Sequence, residues 1–169
     1  MTAKVGSSRV VIRVAGWLLG VALLPGDALA QTAKDLVGTW IVASSTAEQG
    51  GTQLEPYGSN PKGILMLDEN GRYALMVLRP DLPTFASNNR TAGTPEENSA
   101  VVQGSIAHFG TYAVEGDDTL VFRIEASTFP NWNGAEQKRP FALTGGKLKY
   151  TVPQASGGGT GQVVWTRAK

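Results

Sequence analysis

Few side chains in this 169-residue chain have the chemistry for a reaction or a polar grip, and they are spaced along strands rather than clustered in short motifs. Arg139 is the foremost. It shares strand parity with Phe141 and Leu143, the apolar and inward side of its segment. An inward Arg costs several kcal/mol unless paired. It therefore either holds a carboxylate, phenolate or enolate of a bound molecule, as a planar guanidinium does through parallel hydrogen bonds, or pairs with Glu136 or caps loop carbonyls. Trp132 lies in a long loop with Asn131 before it and Gln137 after it. That mix suits an aromatic lid with amide hydrogen bonds at the entrance of a mostly apolar pocket; it equally suits a loop folded onto a rim with Trp132 as its plug. His108 is the single His and so the side chain that titrates near neutral pH. It shares parity with Ile106, Gly110 and Tyr112. If that face is inward, His108 and Tyr112 are candidates for an acid/base pair moving a proton on a carbonyl ligand. If Phe109, Thr111 and Ala113 are inward, His108 is solvated. Gly110 permits a bulge that would break the parity, and the solvated placement is the preferred one. Arg79, before Pro80-Asp81, is a second anion contact at a pocket mouth or, preferred here, a partner of Asp81. Tyr57 is a rim donor or a packed turn aromatic.

Other chemistries lack their residues. With no Cys and one His, the chain has no disulfide, thiolate zinc site, Cys nucleophile or pair of imidazoles, and no metal or cofactor is expected. A net charge of +1 leaves no electrostatic footprint for nucleic acid. The Gly157-Gly158-Gly159-Thr160-Gly161 run lacks the Lys of a phosphate loop and reads as a flexible hairpin connection. There is no Gly-x-Ser-x-Gly hydrolase elbow. Glu96-Glu97 is explained by helix capping, with no second carboxylate placed for glycosidase work. Arg123 and Glu125 read as outward cross-strand charges.

These residues need elements to position them, and the elements are short β-rich segments between turn signals. Eight are expected: Gly38–Thr46, Gly63–Asp68, Arg72–Arg79, Ser105–Glu115, Thr119–Ala126, Arg139–Thr144, Lys147–Val152 and Gly161–Ala168. Asn70-Gly71, Gly116-Asp117-Asp118 and Gly145-Gly146 join three pairs as hairpins. Leu148, Tyr150 and Val152 alternate against Lys147, Lys149 and Thr151, the pattern of an antiparallel sheet with one wet face. One short helix is expected from Thr94-Pro95-Glu96-Glu97, a capping box with Pro at the first helical position, running through Val102 and ending at Gly104. Three connections, Glu48–Lys62, Pro80–Gly93 and Ser127–Lys138, exceed hairpin length. Eight strands joined in sequence by hairpin-like links favour an eight-stranded antiparallel up-and-down barrel over a sandwich, with room inside for one small ligand.

Residues 1–30 read as a secretory signal peptide: Lys4, Arg9 and Arg13 precede the apolar run Val14–Leu24, and Ala28-Leu29-Ala30 is a cleavage site. The run is too short to span a bilayer, which takes about 20 apolar residues. Export to the periplasm or medium is expected, leaving 31–169 as a single domain with no membrane span after cleavage. No heptad run or repeat is present, and nothing in the chain sets an oligomeric state.

Gly38-Thr39-Trp40 with a late Arg167 resembles the lipocalin signature, in which the Trp plugs the closed end and the Arg lies across it. The fuller series is more specific: Asp35-Leu36-Val37-Gly38-Thr39-Trp40, Tyr57-Gly58-Ser59-Asn60-Pro61-Lys62-Gly63, Thr94-Pro95-Glu96-Glu97, and Pro130-Asn131-Trp132-Asn133-Gly134 through Gln137-Lys138-Arg139. In this order they resemble the lipocalin-like domain family of bacterial and fungal proteins. The Thr-Asp-Tyr of the transport lipocalins is absent. The resemblance implies a barrel with a small-molecule cavity and fixes no reaction. Three functions follow as expectations: binding of a small apolar or amphipathic ligand, with Arg139, Trp132, Asn131, Gln137, Tyr57 and Arg79 around its entrance; a cofactor-independent isomerase, cyclase or decarboxylase in the same cavity; or an interaction protein acting through its long loops.

Overall fold

A computed structural model describes residues 1–2 and 31–169, so the signal segment expected before Gln31 lies, apart from its first two residues, outside the described residues. Nine strands form one antiparallel sheet in the order β2-β1-β3-β4-β5-β6-β7-β8-β9. They are β1 (Gly38–Gln49), β2 (Thr52–Leu54), β3 (Lys62–Leu67), β4 (Arg72–Leu78), β5 (Ser105–Glu115), β6 (Thr119–Ser127), β7 (Glu136–Thr144), β8 (Lys147–Val152) and β9 (Thr160–Arg167). β1 also pairs with β9, which closes eight of the strands into a barrel. The ninth, β2, was not expected. Three exposed residues after Gly50-Gly51 fold back on the overlong end of β1, outside the barrel. Two boundaries differ from expectation by three residues: β1 runs to Gln49, and β7 begins at Glu136 because Glu136 and Gln137 continue the ladder with Arg123 and Phe122; β3, β4, β6 and β9 are shifted by a single residue at one or both ends.

The short helix α2 (Pro95–Gln103) forms where its capping box is written. Glu97 Oε2 accepts from the Thr94 amide at 2.8 Å, and Thr94 Oγ1 accepts from the Glu97 amide at 3.2 Å. The box closes two of the free amides of the first turn. A further helical turn, α1 (Ala33–Leu36), precedes β1, and Leu36 plugs the barrel end, fully buried. No helix among the described residues is long and apolar enough to cross a membrane.

Barrel closure centres on Trp40, which faces Arg167 in the β1–β9 register. The Arg167 guanidinium lies 4.2 Å from the Trp40 ring centre, and donates to Val37 O at 2.7 Å and Asp35 O at 2.6 Å. Trp40 Nε1 donates to Leu36 O at 2.9 Å. Gly38 has to be Gly here. Its φ is +135°, and a Cβ would come within 2.7 Å of Arg167 Nη1.

Side-chain size divides the interior. Towards the plugged end the inward positions carry Trp40, Leu65, Leu67, Tyr73, Tyr112, Phe122 and Trp165, which fill it. Towards the other end they are small: Ser45, Ala47, Val77, Val152, Gly161 and Val163. On β1 this depends on a register shift between Val42 and Ser44, which moves the inward parity from Trp40 and Val42 to Ser45 and Ala47. The small end is left hollow.

Candidate functional site

The hollow is a cavity of about 540 Å³, open at the end ringed by the β1–β2 hairpin, Tyr57, and the Ala155–Gly158 turn before β9. Its wall is mostly apolar, with Leu75, Val77, Ile106, Val152 and Val163 among the lining. Among its polar lining, Arg139 on β7, His108 on β5, Tyr150 on β8 and Tyr57 in the loop before β3 come from different elements, and Ser45, Glu55 and Arg79 also line it.

Arg139 is inward and only 2 % exposed, in line with Phe141. It pairs neither with Glu136, which bridges to Arg123 at 3.0 Å on the outer surface, nor with a loop carbonyl. Its Nη2 donates to Gln137 Oε1 at 2.6 Å, while Nε is buried without a partner. The guanidinium carbon lies 4.7 Å from the Phe122 ring centre and 4.9 Å from that of Tyr150. Two aromatic faces hold the plane of the cation in place.

His108 is inward, not solvated: it is 3 % exposed. The expected bulge exists, but its extra residue is on the neighbouring strand. Phe109 pairs with Ala126 and Gly110 with Ile124, so Glu125 of β6 is the unpaired residue. The alternation along β5 is unbroken, and Ile106, His108, Gly110 and Tyr112 all face in. Gly110 makes this possible, since a Cβ there would lie 2.0 Å from Arg123 O. His108 Nδ1 is 2.8 Å from the Tyr73 hydroxyl. Its ring meets Trp132 edge to face at 5.8 Å. Burial first, and the Arg139 charge second, push its pKa down to about 3, so the imidazole is neutral at physiological pH.

Tyr112 does not join His108. Its hydroxyl donates to Asp68 O at 2.8 Å, towards the plugged end and away from the cavity lining. The tyrosine that meets His108 is Tyr73, inward with Leu75 and Val77 on β4. Tyr73 and Tyr150 were not singled out from the sequence, although both sit at inward parity among apolar residues. The pKa values of Tyr57, Tyr73 and Tyr150 are all raised by burial, that of Tyr57 to about 12.

The remaining candidates separate. Trp132, at the end of a 3₁₀ turn (Pro130–Trp132), packs on Phe129 at 5.6 Å and His108, and lines the cavity wall. Asn131 is exposed and outside the lining. Gln137 also lies outside it and acts only through Arg139. Arg79 stands at the rim, paired with Asp81 by two contacts of 3.1 Å. Exposed apolar side chains include Ile41, Met66, Met76 and Phe109 on the barrel strands, Leu54 on β2 within the Glu48–Lys62 connection, and Val102 on α2. No cluster of three metal-ligating side chains occurs among the described residues.

The family model for the lipocalin-like domain matches residues 37–168. A 4'-hydroxy-3'-methoxypropiophenone carrier protein of Aspergillus oryzae is 25% identical over 83 residues, which cover 45% of this chain and 75% of that protein. Among solved structures, a redesigned β-barrel aligns at 14% identity and a TM-score of 0.45, over 83% of this chain and 98% of its own. The wild-type fluorescent protein UnaG aligns at 16% identity and a TM-score of 0.38, over 80% of this chain and 99% of its own.

Proposed function

We propose that this chain, which belongs to the lipocalin-like domain family, is an exported carrier or sequestering protein that holds one small, largely apolar molecule in the open half of its barrel. The observation that carries this reading is the cavity of about 540 Å³, apolar over most of its wall, with a few convergent polar groups at fixed positions. That is the composition of a small-molecule site: apolar surface supplies affinity, and the few polar groups orient the ligand. The similarity to a carrier protein supports the same class of function. Arg139, His108, Tyr150, Tyr57 and Trp132 are the proposed contacts, with Gln137 positioning Arg139. Export rests on the basic, apolar and Ala-x-Ala pattern of the first thirty residues.

Native mass spectrometry of the protein recovered from its host's exported fraction tests both parts. The expected protein mass is that of Gln31–Lys169, with a reproducible additional small mass. A chain still carrying its first thirty residues would overturn the export reading. A bare protein under conditions that preserve weak complexes would count against a retained ligand.

One observation favours a second reading, a cofactor-independent proton-transfer enzyme. The buried Tyr73–His108 hydrogen bond places a neutral imidazole on the cavity wall, where its other nitrogen is available to a ligand. Turnover of a bound carbonyl compound that disappears in His108→Gln, with the binding affinity kept, would support it over simple carriage.

A further inference from the structure

Resting on the reading of the cavity as a binding site, we infer that its ligand is an organic anion, a carboxylate or acidic phenolate on an apolar body, whose charged group sits on Arg139. The inference starts from an imbalance of charge. Four ion pairs occur among the described residues, and all four are solvent-exposed, Arg72–Glu125, Arg123–Glu136 and Lys138–Glu115 on the outer surface and Arg79–Asp81 at the rim. Arg139, the deeply buried cation, is in none of them. Its polar partners are neutral, the Gln137 amide oxygen and the Tyr150 hydroxyl, and its Nε has no partner. A guanidinium withdrawn from water this far loses solvation that an amide, a hydroxyl and two ring faces restore only in part.

The buried part of the cavity offers no counter-charge. His108 is neutral, and Tyr57, Tyr73 and Tyr150 keep their protons because burial raises their pKa values. Glu55 is out at the rim, in the exposed segment between β2 and Tyr57. The interior field is therefore positive, in a low-dielectric pocket where a single charge acts strongly. A molecule entering with a negative group replaces the missing counter-ion and presents an acceptor to a cation already held by Phe122, Tyr150 and Gln137. The cation pays no ordering cost when it binds, because its place is fixed before the ligand arrives. The same field disfavours a ligand with a cationic head.

The test uses two fluorescent probes with one apolar body, 1-anilinonaphthalene-8-sulfonate and its uncharged counterpart N-phenyl-1-naphthylamine, titrated into the full chain and into Arg139→Gln and Arg139→Lys. The expected result is binding of the anionic probe about tenfold tighter than the neutral one, the size of one charge-assisted contact. Arg139→Gln brings that ratio to about one or below, and Arg139→Lys keeps most of it. Arg139→Gln removes an unpaired buried charge, so it is expected to fold; should it not, Arg139→Lys and the wild-type ratio still decide. A wild-type ratio of one or less, or a preference unchanged in Arg139→Gln, overturns the inference while leaving the cavity reading intact. Failure of both probes to bind overturns the cavity reading and the inference with it. Chloride in tenfold excess over the probe displaces little of it on this inference; full displacement would assign the site to an inorganic ion and overturn it. Titrations with 1-naphthoate and 1-naphthol from neutral pH to about 10 separate the two sources of charge, because burial holds the Tyr57, Tyr73 and Tyr150 hydroxyls above their ordinary pKa. Naphthol binding that strengthens as it ionises admits phenolates beside carboxylates, and weakening of naphthol as it ionises, with naphthoate unbound, overturns the anion assignment.

Discussion

His108 shows how much one side chain's surroundings decide. In the unfolded chain it titrates near 6.5, and in the barrel its pKa is pushed down to about 3. Above pH 6.5 it is neutral in both states and contributes nothing to the pH dependence of stability. As the pH falls below 6.5 the unfolded chain takes up a proton that the folded chain refuses, so stability falls by about 1.4 kcal/mol per pH unit until the folded pKa is reached. It is the single His, and its share of the loss between pH 7 and 5 is about 2 kcal/mol, which the difference between the wild type and a His108 variant isolates. Urea unfolding at the two pH values is expected to show that loss in the wild type and almost none of it in His108→Gln, whatever the absolute stability of the variant. An equal slope in both would mean that His108 is charged or solvated in the native state. Strand parity listed the right companions for His108, Ile106, Gly110 and Tyr112. It could not say which face of β5 was inward, because a bulge on either strand of the pair leaves the same glycine in the sequence. Arg139 was easier to place, since Phe141 and Leu143 beside it leave only one apolar side.

At the level of elements, closure and hollowness come from different features of β1. The first half, Gly38 to Val42, carries the plug and its lock. Arg167 ties β9 to the chain before β1 through two carbonyls and the Trp40 face. Arg167→Ala leaves these partly exposed carbonyls to water and uncovers the indole, so a loss of about 1–3 kcal/mol is expected, measured by chemical denaturation. Arg167→Lys is expected to recover only part of it, because one ammonium cannot reproduce the fork to Val37 and Asp35. A variant as stable as the wild type would reduce this constellation to surface decoration. The second half of β1, beyond the shift at Ala43, brings Ser45 and Ala47 inward and opens the cavity. The first half was legible from Gly38-x-Trp40 and a late Arg. The second was not, since bulges arise from backbone pairing with β9 and leave no mark in the hydrophobic alternation. The hairpin to β2 was hidden for a related reason: Thr52–Leu54 is exposed on every residue, so no face of it alternates.

For the molecule as a whole, the barrel keeps its stability in one half and its binding capacity in the other. The plugged half is packed with large side chains, and residue volume there is what core stability depends on. The open half leaves about 540 Å³ unfilled, an arrangement that forgoes packing contacts for the sake of a guest. The division makes a clear prediction for Ala47, a small inward residue of β1 on the cavity wall. In a packed core Ala→Phe would force neighbours off their rotamers and cost about 1–3 kcal/mol. At Ala47 the ring has empty space to enter. Ala47→Phe is therefore expected to keep or raise the melting temperature while weakening the anionic naphthalene probe by about tenfold or more, as excluded volume removes the apolar half of its site. Thermal unfolding followed by circular dichroism and a fluorescence titration on the same sample give the two readings together. Loss of stability and loss of binding in parallel would mean that the open half is packed in solution, and that the guest has to be sought on the outer wall, where Met66, Met76 and Phe109 are exposed.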